Sequence, residues 1–477
     1  MSHVVIIMAA GDGVRMRSET PKVLHPLAGR PILSWIVEAA AASGPERMMV
    51  VVGSGARRVR SILPRRVETC VQPERRGTGH AVSVAMDALG ELPERCAVVV
   101  LPGDVPLLSA EAITGAVEAH RSGTAAATML TAMADDPTGY GRVLRDAEGQ
   151  LRGVVEHVDA TEAEREIDEI NTSIYVFSAG PLRDGLGRIG IGNRQGEHYL
   201  PDVIGVMVGD GRDVEGRLIP FGDSLGVNDQ AQLAEASARM RRRILNRHML
   251  AGVKMDDPDR IYVEATVRLA PGVRLYPGVH LEGEVEVEEG ATLGPDVHIR
   301  DSRIGAGARV WYSVVREADI GPGVEVGPYA SIRPGTRIEA GAKAGTFVEM
   351  KNTRLGKGAK APHLSYLGDA DVGEGANVGA GTITANYDGY QKHRTAIGPG
   401  AQIGSNTVLV APVEVGEQGW TGAGSTITRP VESGALAVER SQQRNIRGYA
   451  GRRAARYREG DGKDRSPSAP PEPTGDS

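Results

Sequence analysis

The stretch AAGDGVRM, residues 9–16, directly follows the apolar run VVIIM. Its two glycines, one residue apart, let backbone N–H groups approach phosphate oxygens. Arg15 and then Lys22 add two cations that can follow charge onto a departing pyrophosphate. The stretch is not a dinucleotide fingerprint, because Met16 stands where a third glycine is needed, nor a Walker loop, because no GK[ST] follows. Taken alone it fits a tight turn as well as a phosphate loop. Asp104, in LPGDVPL, closes another apolar run, and open α/β sheets bind ligands at the carboxyl ends of their strands. Asp104 can ligate Mg²⁺, which takes one or two protein oxygens beside phosphates, or cap a helix starting near Ser109. Asn228, in GVND, offers a second oxygen or the N-cap of the helix that begins there.

A second set of chemical groups lies far along the chain: Arg333, Lys351, His363, Tyr366, Asn377, Asn386 and Tyr387. They fall at or near turns of a six-residue repeat, or in an insertion into it. Three hexads make one coil, so Arg333 and Lys351, eighteen apart, stack into a cationic column suited to a phosphate. His363, in KAPHLSYLGDA, is an ordinary surface histidine or a proton acceptor, since imidazole titrates nearest neutrality.

These groups need scaffolds. HVVIIM, RMMVVVG, VETCVQ, CAVVVLPGD and TAAATML are strand runs, and PILSWIVEAAAAS, TGHAVSVAMDALG and SAEAITGAVEAH carry apolar residues at helical spacing. Such alternation predicts a parallel sheet covered on both faces. Residues 228–250 read as one long helix, a rigid connector. From about residue 261 an aliphatic or small residue recurs every six positions, as at Ile320, Val326, Ile332, Ile338 and Ala344, and again at Ile397, Ile403, Leu409, Val415, Thr421 and Ile427. This hexapeptide repeat predicts a parallel β-helix. It also explains 63 glycines and only 4% aromatics, because the turns need glycine and the prism interior is narrow. Residues 384–395, TANYDGYQKHRT, interrupt the repeat as a loop on one face.

A chain of 477 residues needs more than one domain. A net charge of −6 gives no support to nucleic-acid binding. Cys70 and Cys96 have no metal-ligand spacing and exclude a disulfide scaffold, which fits a reducing cytoplasm. No apolar run approaches the ~20 residues of a membrane span, and the first residues lack the features of a secretory signal. The last segment, basic and then Pro/Ser-rich, is expected to be disordered.

AAGDGVRM, PKVLH, QPERRGTGHA, GDVPL, DDPTGYGR, VVEHVDAT, EINTSI and GVND occur in the order found in sugar-1-phosphate nucleotidyltransferases. With the hexapeptide repeat behind them, residues 4–440 resemble the bacterial bifunctional family of N-acetylglucosamine-1-phosphate uridylyltransferase/glucosamine-1-phosphate N-acetyltransferases. The resemblance implies a Rossmann-like α/β nucleotidyltransferase domain with a mostly parallel sheet, residues 1–227, and a helical linker, 228–250. A left-handed parallel β-helix with acetyltransferase activity follows at 251–445, then a tail at 446–477.

It further implies that Met8, Ala9, Ala10, Gly11, Gln72, Gly77 and Thr78 hold the uridine, and that Gly141, Glu156 and Asn171 hold the N-acetylglucosamine part. Arg15 and Lys22 would sit on the phosphates of UTP, and Asp104 and Asn228 on Mg²⁺. In the β-helix, Arg333 and Lys351 would bind the phosphate of glucosamine-1-phosphate, with Tyr366 and Asn377 on the sugar and Asn386 beside them. His363 would be the base. Ala380, Asn386, Tyr387, Ser405, Ala423 and Arg440 would line the acetyl-CoA site, with Ser405 near the oxyanion. The product, N-acetylglucosamine-1-phosphate, would be the acceptor at the first site. The resemblance also implies a cytoplasmic homotrimer with no nucleic-acid or membrane partner. Departures from the family pattern are Pro102 for an aromatic residue, Ser173 and Pro362 for glycines, and Ala385 for a cysteine. Two other readings stay open: a nucleotidyltransferase whose β-helix is only structural, and a non-catalytic sugar-nucleotide-binding scaffold.

Overall fold

A computed structural model describes residues 3–11, 13–53 and 56–459. The first half is built on a nine-stranded sheet. Strands β1 (His3–Ala9), β2 (Arg47–Val52), β3 (Glu68–Val71) and β4 (Ala97–Pro102) run parallel. They are followed by β5 (Ala127–Met133), β6 (Arg142–Arg145), β7 (Leu151–Val155), β8 (Glu169–Ser178) and β9 (Val214–Leu218). The order is β9-β5-β8-β4-β1-β2-β3, with β8 antiparallel to both neighbours and the β6–β7 hairpin hanging from it. The main path of the sheet is thus mostly parallel, as expected, with β8 its one antiparallel member.

The strands read as continuous apolar runs because both faces are covered. Val5 and Ile7 of β1 pack into one buried cluster with α1 (Ile32–Ala42) and α3 (Ala110–Ser122). Val4 and Ile6 pack into the opposite one with α2 (Thr78–Leu89), α4 (Ala179–Leu186) and α5 (Asp202–Gly209). Ser109 caps α3, its Oγ accepting from the Ala112 N–H at 3.2 Å, so Asp104 is not that helix's cap. The long helix α6 spans Gln230–Leu250, two residues later than expected at its start. Asp229 is its N-cap, accepting from the Gln232 N–H at 2.9 Å. That frees the Asn228 side chain for another role.

The second half winds into three parallel sheets of eleven, ten and nine strands, a left-handed β-helix. A coil takes 16 to 18 residues in the regular part: Arg274 pairs with Thr292, Thr292 with Arg309, and Arg309 with Glu325. Ile320, Val326, Ile332, Ile338 and Ala344 all point inward and are fully buried, as the six-residue period requires. Helix α6 is more than a connector. Its Ala236, Met240, Ile244 and Leu245 belong to one buried cluster that runs from Met16, Leu27 and Ile32 into the prism core.

Strands Ile383–Ala385 and Thr395–Ile397 absorb both ends of the expected insertion. The protruding loop is therefore 386–394, a hairpin closed by an antiparallel bridge between Tyr387 and Lys392. Of the tail expected to lack structure, Tyr449–Glu459 is helical, α7. Alanine and arginine, which fill much of it, are good helix formers. Residues 460–477 lie outside the described residues. Among the described residues no helix is long and apolar enough to cross a membrane.

Candidate functional site

Strands β1 and β4 end side by side, at Ala9 and Pro102, and their carboxyl ends open into a cleft of about 460 Å³. Every first-half site residue named from the sequence lines it, from Met8 to Asn228. Gly13 has φ +63°, and a Cβ there would lie 2.6 Å from the Lys22 Cβ. Only glycine lets the loop close on Lys22. The Lys22 ammonium donates to Asn228 Oδ1 at 3.0 Å and is ion-paired with the Asp104 carboxylate. A cation therefore bridges the two oxygens expected to ligate metal.

At the end expected to hold uridine, Gln72 Nε2 donates to the Gly77 carbonyl at 3.1 Å and faces His80, which fixes the carboxamide plane. Gly77 itself has φ +98°, and a Cβ there would meet the His198 carbonyl at 2.4 Å. At the end expected to hold the sugar, Asn171 Oδ1 accepts from the Ser173 N–H (3.0 Å) and the Tyr175 hydroxyl (2.9 Å). Its amide NH₂ is left as the donor for a ligand. Ser173 takes a left-handed φ of 59°, a conformation that favours the glycine expected there. Burial, with Asp159 and Asp202 nearby, pushes the Glu156 carboxyl above its ordinary range.

Arg75, Tyr140 and Gln232 also line the cleft and were not singled out from sequence. Arg75 Nε donates to the Ala10 carbonyl at 3.2 Å, tying the phosphate loop to the QPERRGTGHA segment that contains it. Gln232 Oε1 accepts from the Asn228 N–H at 2.8 Å and so orients Asn228. The signal for Gln232 was its place four residues beyond Asn228.

Residues 5–166 match the MobA-like NTP transferase domain. The bifunctional protein GlmU of Streptomyces avermitilis is 44% identical over 454 residues, 94% of each chain. The protein of the same name from Kineococcus radiotolerans is 46% identical over 450 residues, 93% of this chain and 91% of its own. That from a Geobacillus species is 44% identical over 454 residues, 95% of this chain and 98% of its own. This chain belongs to the GlmU family. It is a uridylyltransferase and an acetyltransferase of UDP-N-acetylglucosamine synthesis.

GlmU chains are bifunctional by name, and the β-helix of this one carries its own cluster of polar groups. Arg333 and Lys351 stack on successive coils, since Ile332 pairs with Met350 just before them. Arg333 donates to Glu349 at 2.6 Å. The Lys351 ammonium is held below its ordinary range, first by Lys392, which contacts it from the hairpin. Lys392 is a third cation that the sequence did not single out, because its approach depends on how the hairpin folds.

Asp369 is the buried anchor of this cluster. It accepts from Asn352 (2.6 Å) and Asn386 (2.5 Å). Burial pushes its carboxyl up, but those bonds and the charges of Lys351 and Lys392 outweigh it and leave the group below its ordinary range. The Tyr366 hydroxyl and the Asn386 amide converge over Gly368, where a Cβ would lie 2.4 and 2.7 Å from them. His363 ends the strand Lys360–His363 and is exposed, one corner away from Tyr366. Asn377 pairs with Lys360 on that same sheet.

Ala380, Ser405 and Ala423 follow Gly379, Gly404 and Gly422 at one corner of three successive coils. Arg440 Nη1 donates to the Ala423 carbonyl at 2.9 Å. Tyr387 is exposed, its hydroxyl donating to the Gly389 carbonyl at 2.6 Å within the hairpin.

Proposed function

We propose that the two activities run at these two places, acetylation first. The observation that carries the reading is the bridging of Asp104 and Asn228 by Lys22 inside a cleft lined by a glycine loop. At the β-helix, Arg333, Lys351 and Lys392 hold the phosphate of glucosamine-1-phosphate while Tyr366, Asn377 and Asn386 face the sugar. The amine nitrogen attacks the thioester carbon of acetyl-CoA, and His363 takes the amine proton. Ser405 and nearby N–H groups steady the oxyanion. The carbon–sulfur bond breaks, and coenzyme A leaves as the thiol after taking a proton. Ala380, Ala423, Tyr387 and Arg440 flank the acetyl-CoA path.

At the first site, a phosphate oxygen of N-acetylglucosamine-1-phosphate attacks the α-phosphorus of UTP in line, and pyrophosphate leaves. The nucleophile is already anionic, so this step needs positioning and charge neutralisation rather than a general base. Gln72 and the Gly77–Thr78 wall hold the uracil, Glu156 and Asn171 the sugar, and Arg15 and Lys22 the phosphates. Asp104 and Asn228 suit Mg²⁺, because their oxygens already share a cation, the Lys22 ammonium. When bound there, Mg²⁺ would neutralise triphosphate charge. Both co-substrates are cytoplasmic metabolites, and the cytoplasm is where we place the enzyme.

The same reading makes the active form a homotrimer. Tyr312, Tyr329, Phe347 and Leu364 line one corner of the prism, each in the left-handed region at φ 45–58°. Bulky residues pay about 1–2 kcal/mol each for that conformation. Tyr312 lies 5.7 Å from Tyr329, which stacks at 5.4 Å on Phe347. Yet Tyr329, Phe347 and Leu364 are 57, 56 and 62% exposed. An edge of this kind is covered when prisms pack around a threefold axis.

The test supplies glucosamine-1-phosphate, acetyl-CoA, UTP and Mg²⁺ and follows free thiol, pyrophosphate and UDP-N-acetylglucosamine. All three should appear. Pyrophosphate release from added N-acetylglucosamine-1-phosphate without any thiol release would leave the β-helix a structural domain.

A further inference from the structure

Arg300, Arg316, Arg333 and Lys351 occupy the same outward position on four successive coils of the ten-stranded sheet. Arg300 pairs with Arg316, and the pairs Val315–Ile332 and Ile332–Met350 set the register of the next two steps. Strands in such a sheet lie about 4.8 Å apart, and like charges placed directly opposite destabilise it. The nine-stranded sheet of the same prism brings only one such pair together, Arg337 opposite Arg354, and Glu339 and Asp371 both bind Arg354. Up to that pair its outward column reads Arg268, Glu286, Arg303, Asp319, Arg337, alternating in sign.

Compensation along the basic column is uneven. Arg300 pairs with Asp301 at 3.2 Å and Arg333 with Glu349 at 2.6 Å. Arg316 is exposed and makes no ion pair among the described residues. Its chain neighbour Glu317 turns round the corner into a hollow shared with Arg303 and Arg337. Beyond Lys351 the column stops at Gly368, beneath the Tyr366 hydroxyl and the Asn386 amide.

We propose that Arg316 steers the phosphate of the acetyl acceptor. It draws a phosphomonoester dianion onto the column one coil below Arg333, from which the sugar moves up towards Lys351 and the gap over Gly368. This rests on the reading that the β-helix acetylates a sugar phosphate.

The test compares full-length wild type, Arg316→Gln and Arg316→Lys with two acceptors, glucosamine-1-phosphate and glucosamine. Wild type is assayed first, since absence of acetyl transfer to glucosamine-1-phosphate would overturn the underlying reading before any variant is made. Arg316→Gln should lower kcat/KM for glucosamine-1-phosphate about three- to tenfold at ~10 mM ionic strength and less than about twofold at ~500 mM. The kcat, the glucosamine reaction and uridylyl transfer should stay as in wild type, and Arg316→Lys should restore most of the loss. An unchanged kcat/KM at low salt, or an equal loss with both acceptors or at both salt levels, would overturn the proposal.

Discussion

At the scale of single residues, the two sites work by different means. Under the proposed function, the first gathers cations and donors around phosphates and presents no nucleophile of its own, whereas the second needs a group that accepts a proton. His363→Ala should therefore cut kcat for acetyl transfer by about 10²–10⁴ while KM for glucosamine-1-phosphate stays within about twofold, because the cations remain. The residual rate should climb with pH as solution deprotonates the amine. Steady-state kinetics across pH checks this, and an unchanged rate at neutral pH would remove the imidazole from the mechanism. That the first-half residues would line one cleft, and that Arg333 and Lys351 would stack, was legible in the sequence because strand ends and stacked hexads repeat fixed spacings. Lys392 and Asp369 were not. One reaches the site through a hairpin without periodicity, and the other acts from a buried corner through Asn352 and Asn386.

At the scale of elements, strand β1 carries a pH dependence of its own. His3 is 3% exposed, with Nε2 3.0 Å from Ser43 Oγ. Burial, then the charge of Arg121, lowers its pKa from 6.5 to about 4. Between those values the unfolded chain binds a proton that the folded one refuses. Stability is therefore full above about pH 6.5 and falls as pH drops towards 4, by up to about 3 kcal/mol. Denaturant unfolding at pH 7 and pH 5 should show the fall, and His3→Gln should remove part of it. His120 and His248, lowered by burial too, act in the same direction. Equal wild-type stability at the two pH values would contradict this. The first five strands, α1 to α3, α6 and the β-helix followed from apolar runs, helical spacing and the six-residue period, but β6 to β9 were not singled out. Nor did the antiparallel place of β8 follow, because a strand buried on both faces reads the same in either direction. The helix at 449–459 was missed because its composition resembles that of a solvated tail.

At the scale of the whole molecule, the halves are distinct in chemistry but not in packing. The buried cluster through α6 joins Met16, Leu27 and Ile32 to the prism, so the chain is best tested at full length. Replacing both Tyr329 and Phe347 by serine should leave the prism folded, since its interior is aliphatic, but shift the assembly towards monomers in light scattering. An undiminished trimer would place the contact on another edge. The central claim is that one chain holds two separate active sites, and Asp104→Ala tests it most directly. Asp104 lines the first cleft, and under the proposed function its loss would remove a Mg²⁺ ligand and with it the cation that neutralises the triphosphate. Pyrophosphate and free thiol should be measured on the same folded preparation of this variant. The account predicts that pyrophosphate release falls at least about a hundredfold while thiol release from acetyl-CoA continues at the wild-type rate; equal loss of both would contradict it.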